Sequence, residues 1–205
     1  MRLRRCGAHA VLVELDSLTE VSAARAVLAG LPGVVDLVPA ARTVLVTFAA
    51  DVPRELADVL SAADLSAAPP PSGETVVLPA VYDGPDLELV AATADVSVDE
   101  VIALHAGAEY TVAFTGFAPG FGYLTGLPAP LRQPRLDSPR TRVPSGAIGV
   151  AGEFTGVYPR PSPGGWRLLG RLADDAPALF DADRDPPALL APGLRVRFAA
   201  VSCAP

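Results

Sequence analysis

A chain of 205 residues, half of them hydrophobic and 19% charged, suffices for one large domain or two small ones and is too apolar for intrinsic disorder. Its net charge of −7, from 23 acidic and 16 basic residues, opposes a phosphate backbone, so no nucleic acid partner is expected. All 16 basic residues are arginine, which removes Schiff-base chemistry and a phosphate-loop lysine together.

In chain order, Arg2, Arg4 and Arg5 precede an apolar stretch that His9 interrupts and Glu14 ends. With no small-residue cleavage site after it, Ala8–Leu15 reads as a first strand rather than a signal peptide. Ser17 and Glu20 form a capping box ahead of a helical stripe of Leu18, Val21, Leu28 and Leu31. Val34–Val38 and Thr43–Phe48 are read as paired strands, and Asp51 as the cap of a second helix carrying Leu56, Val59 and Leu60. This β-α-β-β-α order suggests a small ferredoxin-like lobe over residues 1–66. The small residues and three prolines that follow mark residues 67–73 as a linker, leaving 74–205 as a second domain.

The second domain opens with a strand at Thr75–Val81, then Gly84-Pro85-Asp86 starting a helix with proline in its first position. Ser97 and Glu100 make another capping box, so Val98–Ala106 is helical with His105 in the last turn. Tyr110, Val112 and Phe114 alternate as a strand. From Gly116 to Gly170 there are 11 glycines and 9 prolines in 55 residues, which favours short strands and tight loops. The same breakers disqualify the uncharged 22-residue run Tyr110–Leu131 as a membrane span. Ile148–Ala151, Trp166–Arg171 and Leu194–Val201 complete the strands of a mostly β domain, consistent with a closed or nearly closed barrel. The expectation is an α+β protein of the cytoplasm, with no membrane partner.

Chemistry is concentrated in the glycine- and proline-rich stretch. Between Arg132 and Arg171 seven arginines face only Asp137 and Glu153, a local net of +5 that leaves −12 for the rest. Such an island suits an anionic ligand or an acidic partner, or else pairs with the acidic remainder. Phe117, Phe121, Tyr123, Tyr158 and Trp166 share the stretch and can be core or pocket wall. Gly120-Phe-Gly122-Tyr-Leu-Thr-Gly126 mimics a dinucleotide fingerprint, but its third glycine is one residue late and no helix follows. His105 is open to two readings, a general base or a group compensating the end of its helix. Cys6 and Cys203 lie at opposite ends and the only histidines are His9 and His105, so no metal site is expected.

The ordered motifs Phe117-Ala-Pro-Gly-Phe-Gly-Tyr-Leu124, Ser138-Pro-Arg140, Val143-Pro-Ser-Gly-Ala-Ile-Gly149, Gly156-Val-Tyr-Pro159 and Ser162-Pro-Gly-Gly-Trp166 resemble the KipI family, as does Tyr82-Asp-Gly-Pro-Asp-Leu87. That family includes the B subunit of bacterial 5-oxoprolinase (PxpB) and the module called allophanate hydrolase subunit 1. The resemblance implies a cyclophilin-like β-barrel behind the α/β lobe. It also implies a hydrolase component that works in a complex with two others, the KipA-like C subunit and the LamB/YcsF-like A subunit. Together they would open 5-oxoproline to glutamate, with ATP bound by the complex rather than by this chain alone. A KipI-type inhibitor of a sporulation histidine kinase, or the carboxyltransferase half of a biotin-dependent urea carboxylase and allophanate system, are the alternatives. Carried onto this chain, the resemblance makes His105 and Arg140 the catalytic candidates. Phe117, Tyr123, Arg142, Tyr158, Trp166 and Arg171 are the candidates for binding substrate or partner.

Overall fold

The structure, a computed structural model, describes residues 1–70 and 73–202; Cys203 and two linker positions lie outside them. It divides into two compact units, the first built on the N-terminal residues with 113–115 counted to it, the second on the remainder. The first unit holds β1 (Arg2–Arg5), β2 (Ala10–Glu14), α1 (Leu18–Ala29), β3 (Val34–Pro39), β4 (Thr43–Phe48) and α2 (Leu56–Ala62). Its sheet order β1-β2-β4-β3 is antiparallel throughout. This is the ferredoxin-like arrangement, with one edge supplied by an N-terminal arginine strand to which the sequence reading assigns no element. The Ser17 hydroxyl accepts from the Glu20 backbone N–H at 3.1 Å, as the capping box requires, and Val21 and Leu28 bury into the core. Asp51 does not cap α2: the chain turns through Val52 and Pro53 first, and Glu55 occupies the cap position.

The remaining elements are β5 (Thr75–Val81), α3 (Leu87–Ala94), α4 (Val98–Gly107), β6 (Tyr110–Thr115, whose last three residues are those counted to the first unit), β7 (Gly122–Thr125), β8 (Arg140–Val143), β9 (Ala147–Ala151), β10 (Phe154–Val157), β11 (Ser162–Gly164), β12 (Arg167–Leu172) and β13 (Arg195–Ala200). Seven of these strands close a barrel in the order β10-β7-β6-β13-β5-β12-β9, while β11 and β8 form a separate ribbon. Closure removes the open edges a sheet would otherwise expose. Alternation sorts the side chains: Ile148, Val150, Val157 and Leu169 point into the interior cluster, and Ala147, Ala151, Tyr158, Trp166 and Leu168 form a second cluster outside it. Every residue of β9 is therefore buried, because both of its faces are covered.

Inside the barrel, α4 places His105 at zero exposure against Phe198 and Tyr110. Its two ring nitrogens are both engaged, Nδ1 with the Tyr82 hydroxyl at 2.8 Å and Nε2 with the Thr155 hydroxyl at 2.9 Å. Thr155 donates to the Gly149 carbonyl at 3.0 Å. A carbonyl only accepts, so the chain has one direction: Tyr82 donates to Nδ1, and Nε2–H donates to Thr155. The imidazole is thus neutral, and burial pushes it down to about 3. Neither sequence reading of this side chain describes its packing, since the ring turns inward and it is the Tyr110 hydroxyl that answers the His105 carbonyl at 2.8 Å.

The segment Tyr82-Asp83-Gly84-Pro85-Asp86 fastens the barrel wall. Pro85 lies before α3 rather than at its first position, and Asp86 occupies the cap position without capping. Its carboxylate instead accepts from the Leu168 backbone N–H at 2.7 Å and from Arg140 at 2.7 Å, with only 8% of the Asp86 side chain exposed. Gly84 donates its N–H to the Leu169 carbonyl, and a Cβ there would run into the backbone of Leu168, Leu169 and Gly170.

Two outcomes are expected. Because His105 has a folded pKa near 3 and an unfolded value of about 6.5, the unfolded chain binds more protons between them, so stability is full above about pH 6.5 and falls with pH by up to about 1.4 kcal/mol per pH unit. Thermal denaturation at a series of pH values checks this, and His105→Gln should flatten the acid limb relative to the parent. Arg140→Ala, which strands the buried Asp86 carboxylate, should cost about 3–5 kcal/mol, or roughly 10 °C in Tm for a chain of this size. Arg142→Ala on the same strand is exposed and should stay within about 0.5 kcal/mol of the parent in the same melts.

Candidate functional site

The outer aromatic cluster surrounds a pocket of about 290 Å³. Its floor exists because β9 and β10 pair Gly149 directly with Gly156 on their outer face. The Phe121 and Trp166 rings lie against Gly156, and the Trp166 Cβ packs over Gly149. Phe121 is the hub, in edge-on contact with Phe117, Tyr123, Tyr158 and Trp166 at centroid distances of 5.2, 5.0, 5.6 and 5.5 Å. Interlocked T-shaped rings hold each other's orientation, so the walls are preformed. Phe117 closes the rim. It is 55% exposed and held at φ +67°, a left-handed conformation costly for a bulky residue.

The ribbon supplies the polar side. Arg135, Pro139, Pro163, Gly164 and Gly165 complete the lining. A Cβ on Gly164 would collide with the Tyr158 hydroxyl, so that position admits only glycine if the phenol is to reach the ribbon. Burial pushes the Tyr158 phenol up, while the Trp166 backbone N–H and the Arg135 and Arg140 guanidiniums act against that rise. Among the described residues, no protein group accepts the Tyr158 hydroxyl proton, and Arg135 has no ion-pair partner. No acidic side chain lines the pocket.

Of the residues the sequence singles out, Phe117, Tyr123, Tyr158 and Trp166 come together here. Arg140 stands behind them: its guanidinium is committed to Asp86 and reaches toward the Trp166 carbonyl at 3.5 Å, so it braces the wall. His105 is inside the barrel. Arg171 pairs with Asp83 at 3.0 Å and Asp174 at 3.4 Å, apart from the lining, and Arg142 is exposed on β8. The arginine island thus splits. Arg132, Arg140, Arg167 and Arg171 bind protein groups, with Arg167 donating to Gln133 and Thr93, whereas Arg135 is left facing the pocket. Sequence reasoning counts Arg135 among the seven and does not select it. The short strands β8, β10 and β11, which no sequence pattern marks, carry the geometry that distinguishes it.

A larger hollow of about 540 Å³ in the first unit is lined by Arg2, Glu14, Asp16 and Arg42. Its charges answer each other, Arg2 with Glu14 and Arg42 with Asp16, each at 3.9 Å. Among the described residues no group of three or more His, Cys, Asp or Glu side chains is arranged to hold a metal ion, and no helix is long and apolar enough to cross a membrane.

Comparison with known proteins places the chain. Residues 1–190 match the family model described as carboxyltransferase domain, subdomain C and D. The chain is 38% identical to the 5-oxoprolinase B subunit of Escherichia coli O157:H7 across 97% of this chain and 96% of that protein. It is 45% identical to the Bacillus subtilis protein of the same name across 62% of this chain and 53% of that one. Among solved structures, TTHA0988 superposes with a TM-score of 0.75 at 35% identity, covering 99% of this chain, which spans 41% of the length of TTHA0988. PH0987 from Pyrococcus horikoshii covers 98% of this chain and 97% of its own at 33% identity, with a TM-score of 0.59. The urea carboxylase of Kluyveromyces lactis, at 19% identity and a TM-score of 0.67 over 98% of this chain and 22% of its own, shares the fold. On a near-complete family match and an end-to-end relative, the chain belongs to the KipI-like family of carboxyltransferase subdomains C and D that contains the 5-oxoprolinase B subunit.

Proposed function

We propose that this chain is the B subunit of an ATP-dependent 5-oxoprolinase, which opens 5-oxo-L-proline to L-glutamate together with the LamB/YcsF-like A subunit and the KipA-like C subunit. The observation that carries the reading is the similarity to a protein of that name along nearly the whole of both chains. The chemistry agrees with a divided enzyme. A lactam is a poor electrophile, and phosphorylation of its oxygen by ATP would make the ring carbon accept water. This chain carries neither a lysine nor a Gly-Lys-Ser/Thr phosphate loop, which fits ATP being bound by the assembled complex. The aromatic pocket, with a single uncommitted guanidinium, suits substrate positioning rather than phosphoryl transfer.

The test is reconstitution. The purified chain alone should show no 5-oxoproline-dependent ATP hydrolysis, and adding both partner subunits should produce coupled ADP and glutamate. Turnover by the chain alone, or an inert complete mixture, would overturn the reading.

A further inference from the structure

We propose that the pocket on the outer barrel face binds a small monocarboxylate carried on a compact ring, its carboxylate against Arg135 and the Tyr158 hydroxyl and its ring between Phe117, Phe121 and Trp166. Volume sets the size of the ligand. At about 290 Å³ the pocket sits at the lower end of ligand sites, which run from ~300 to ~1,000 Å³, so it suits a ring of metabolite size rather than a nucleotide.

Charge sets the sign. Arg135 is the sole charged residue of the lining, and no protein acid answers it among the described residues. The Tyr158 hydroxyl, on a residue 2% exposed, likewise has a proton to donate and no protein acceptor among them. The buried Tyr158 hydroxyl and the exposed Arg135 converge on an apolar box and together suit an anionic acceptor from outside. A guanidinium fork matches the two oxygens of a carboxylate. A phosphate dianion would call for a second cation, and the other guanidinium that acts on Tyr158, Arg140, is already held by Asp86. The remaining walls are aromatic faces and prolines, which bury a compact ring and offer little to a flexible polar chain.

The assignment builds on the 5-oxoprolinase reading for its choice of probe, yet it is tested on the isolated full-length chain. Trp166 is the only tryptophan, so its fluorescence reports this pocket alone. Titration with 5-oxo-L-proline and with cyclopentanecarboxylate should give saturable changes. 2-Pyrrolidinone, which has the ring without the carboxylate, and acetate, which has the carboxylate without the ring, should bind at least ~10-fold more weakly. Arg135→Ala should raise the Kd of the ring carboxylates by ~10-fold or more, with Arg135→Lys recovering part of it. Tyr158→Phe keeps the ring packing and should weaken binding by a smaller factor, and Arg54→Ala, in the first unit, should change nothing.

Equal binding of 2-pyrrolidinone, tighter binding of inorganic phosphate, or an unchanged Kd in folded Arg135→Ala would overturn the proposal. So would a fluorescence change seen only when a partner protein is added, which would make the pocket a protein contact. A reconstituted complex that turns over while the pocket ignores every ring carboxylate sinks this site and leaves the 5-oxoprolinase role standing. Ring-carboxylate binding in a chain whose complex is inert does the reverse.

Discussion

The second unit depends on a buried carboxylate being answered from two directions. Asp86 sits before a helix, where a free carboxylate would ordinarily cap the first turn, but it turns away and takes the Leu168 N–H and the Arg140 guanidinium instead. An ionised carboxylate with so little water around it is costly unless paired and hydrogen-bonded, so these contacts come as a set. Leu168 belongs to a barrel strand and Arg140 to the external ribbon. One side chain therefore ties the start of α3, the barrel wall and the ribbon that carries the pocket's polar side. That tie adds to the pairing of β8 with β11 and to the burial of Val143 against the aromatic cluster in holding the ribbon on the barrel.

What the ribbon covers follows from the small residues beneath it. A barrel strand ordinarily buries one face and shows the other to water, yet β9 buries both. Alanine and glycine at its outward positions leave room for rings to lie close to the backbone, and the aromatic residues that fill that room come from separate loops and strands. Interlocking among themselves, they set a cavity that persists without a ligand, because collapsing it would break edge-to-face contacts already made. The strained Phe117 at the rim is consistent with this economy: its backbone conformation is unfavourable on its own and is retained where the ring completes the box.

Much of this is legible in the sequence. The capping boxes at Ser17 and Ser97 and the alternating strands lead to a ferredoxin-like lobe and a mostly β remainder, and the motif order points to the family. Aromatic clustering locates the pocket's walls. The failures share a cause, which is that local sequence assigns side chains whose partners lie far along the chain. Asp86 looks like a cap until Leu168 and Arg140 claim it, 82 and 54 residues away. His105 looks like the end of a helix until Thr155, 50 residues on, meets its ring. The strands β8, β10 and β11 are four residues or shorter and contain glycine or proline, or in β8 alternate charge, so no periodicity marks them. With them unseen, the seven arginines cannot be told apart.

The wall between the barrel interior and the pocket is one residue thick at Gly149, and this residue serves both sides. Its carbonyl ends the Tyr82, His105 and Thr155 hydrogen-bond chain within the barrel, while its missing side chain seats the Trp166 Cβ outside, where an added Cβ would come within 3.1 Å. Thr155 and Gly156, adjacent on β10, repeat the division: the first turns its hydroxyl inward to His105, and the second lies under Phe121 and Trp166. The interior chain adds to the pairing of Gly149 with Gly156 and Leu168 in setting where the Gly149 peptide lies, because the Thr155 hydroxyl links its carbonyl to the imidazole. The peptide in turn fixes the depth at which Trp166 rests. A buried histidine that does not line the pocket thus contributes to its shape, through hydrogen bonds on one face of a strand and van der Waals contact on the other.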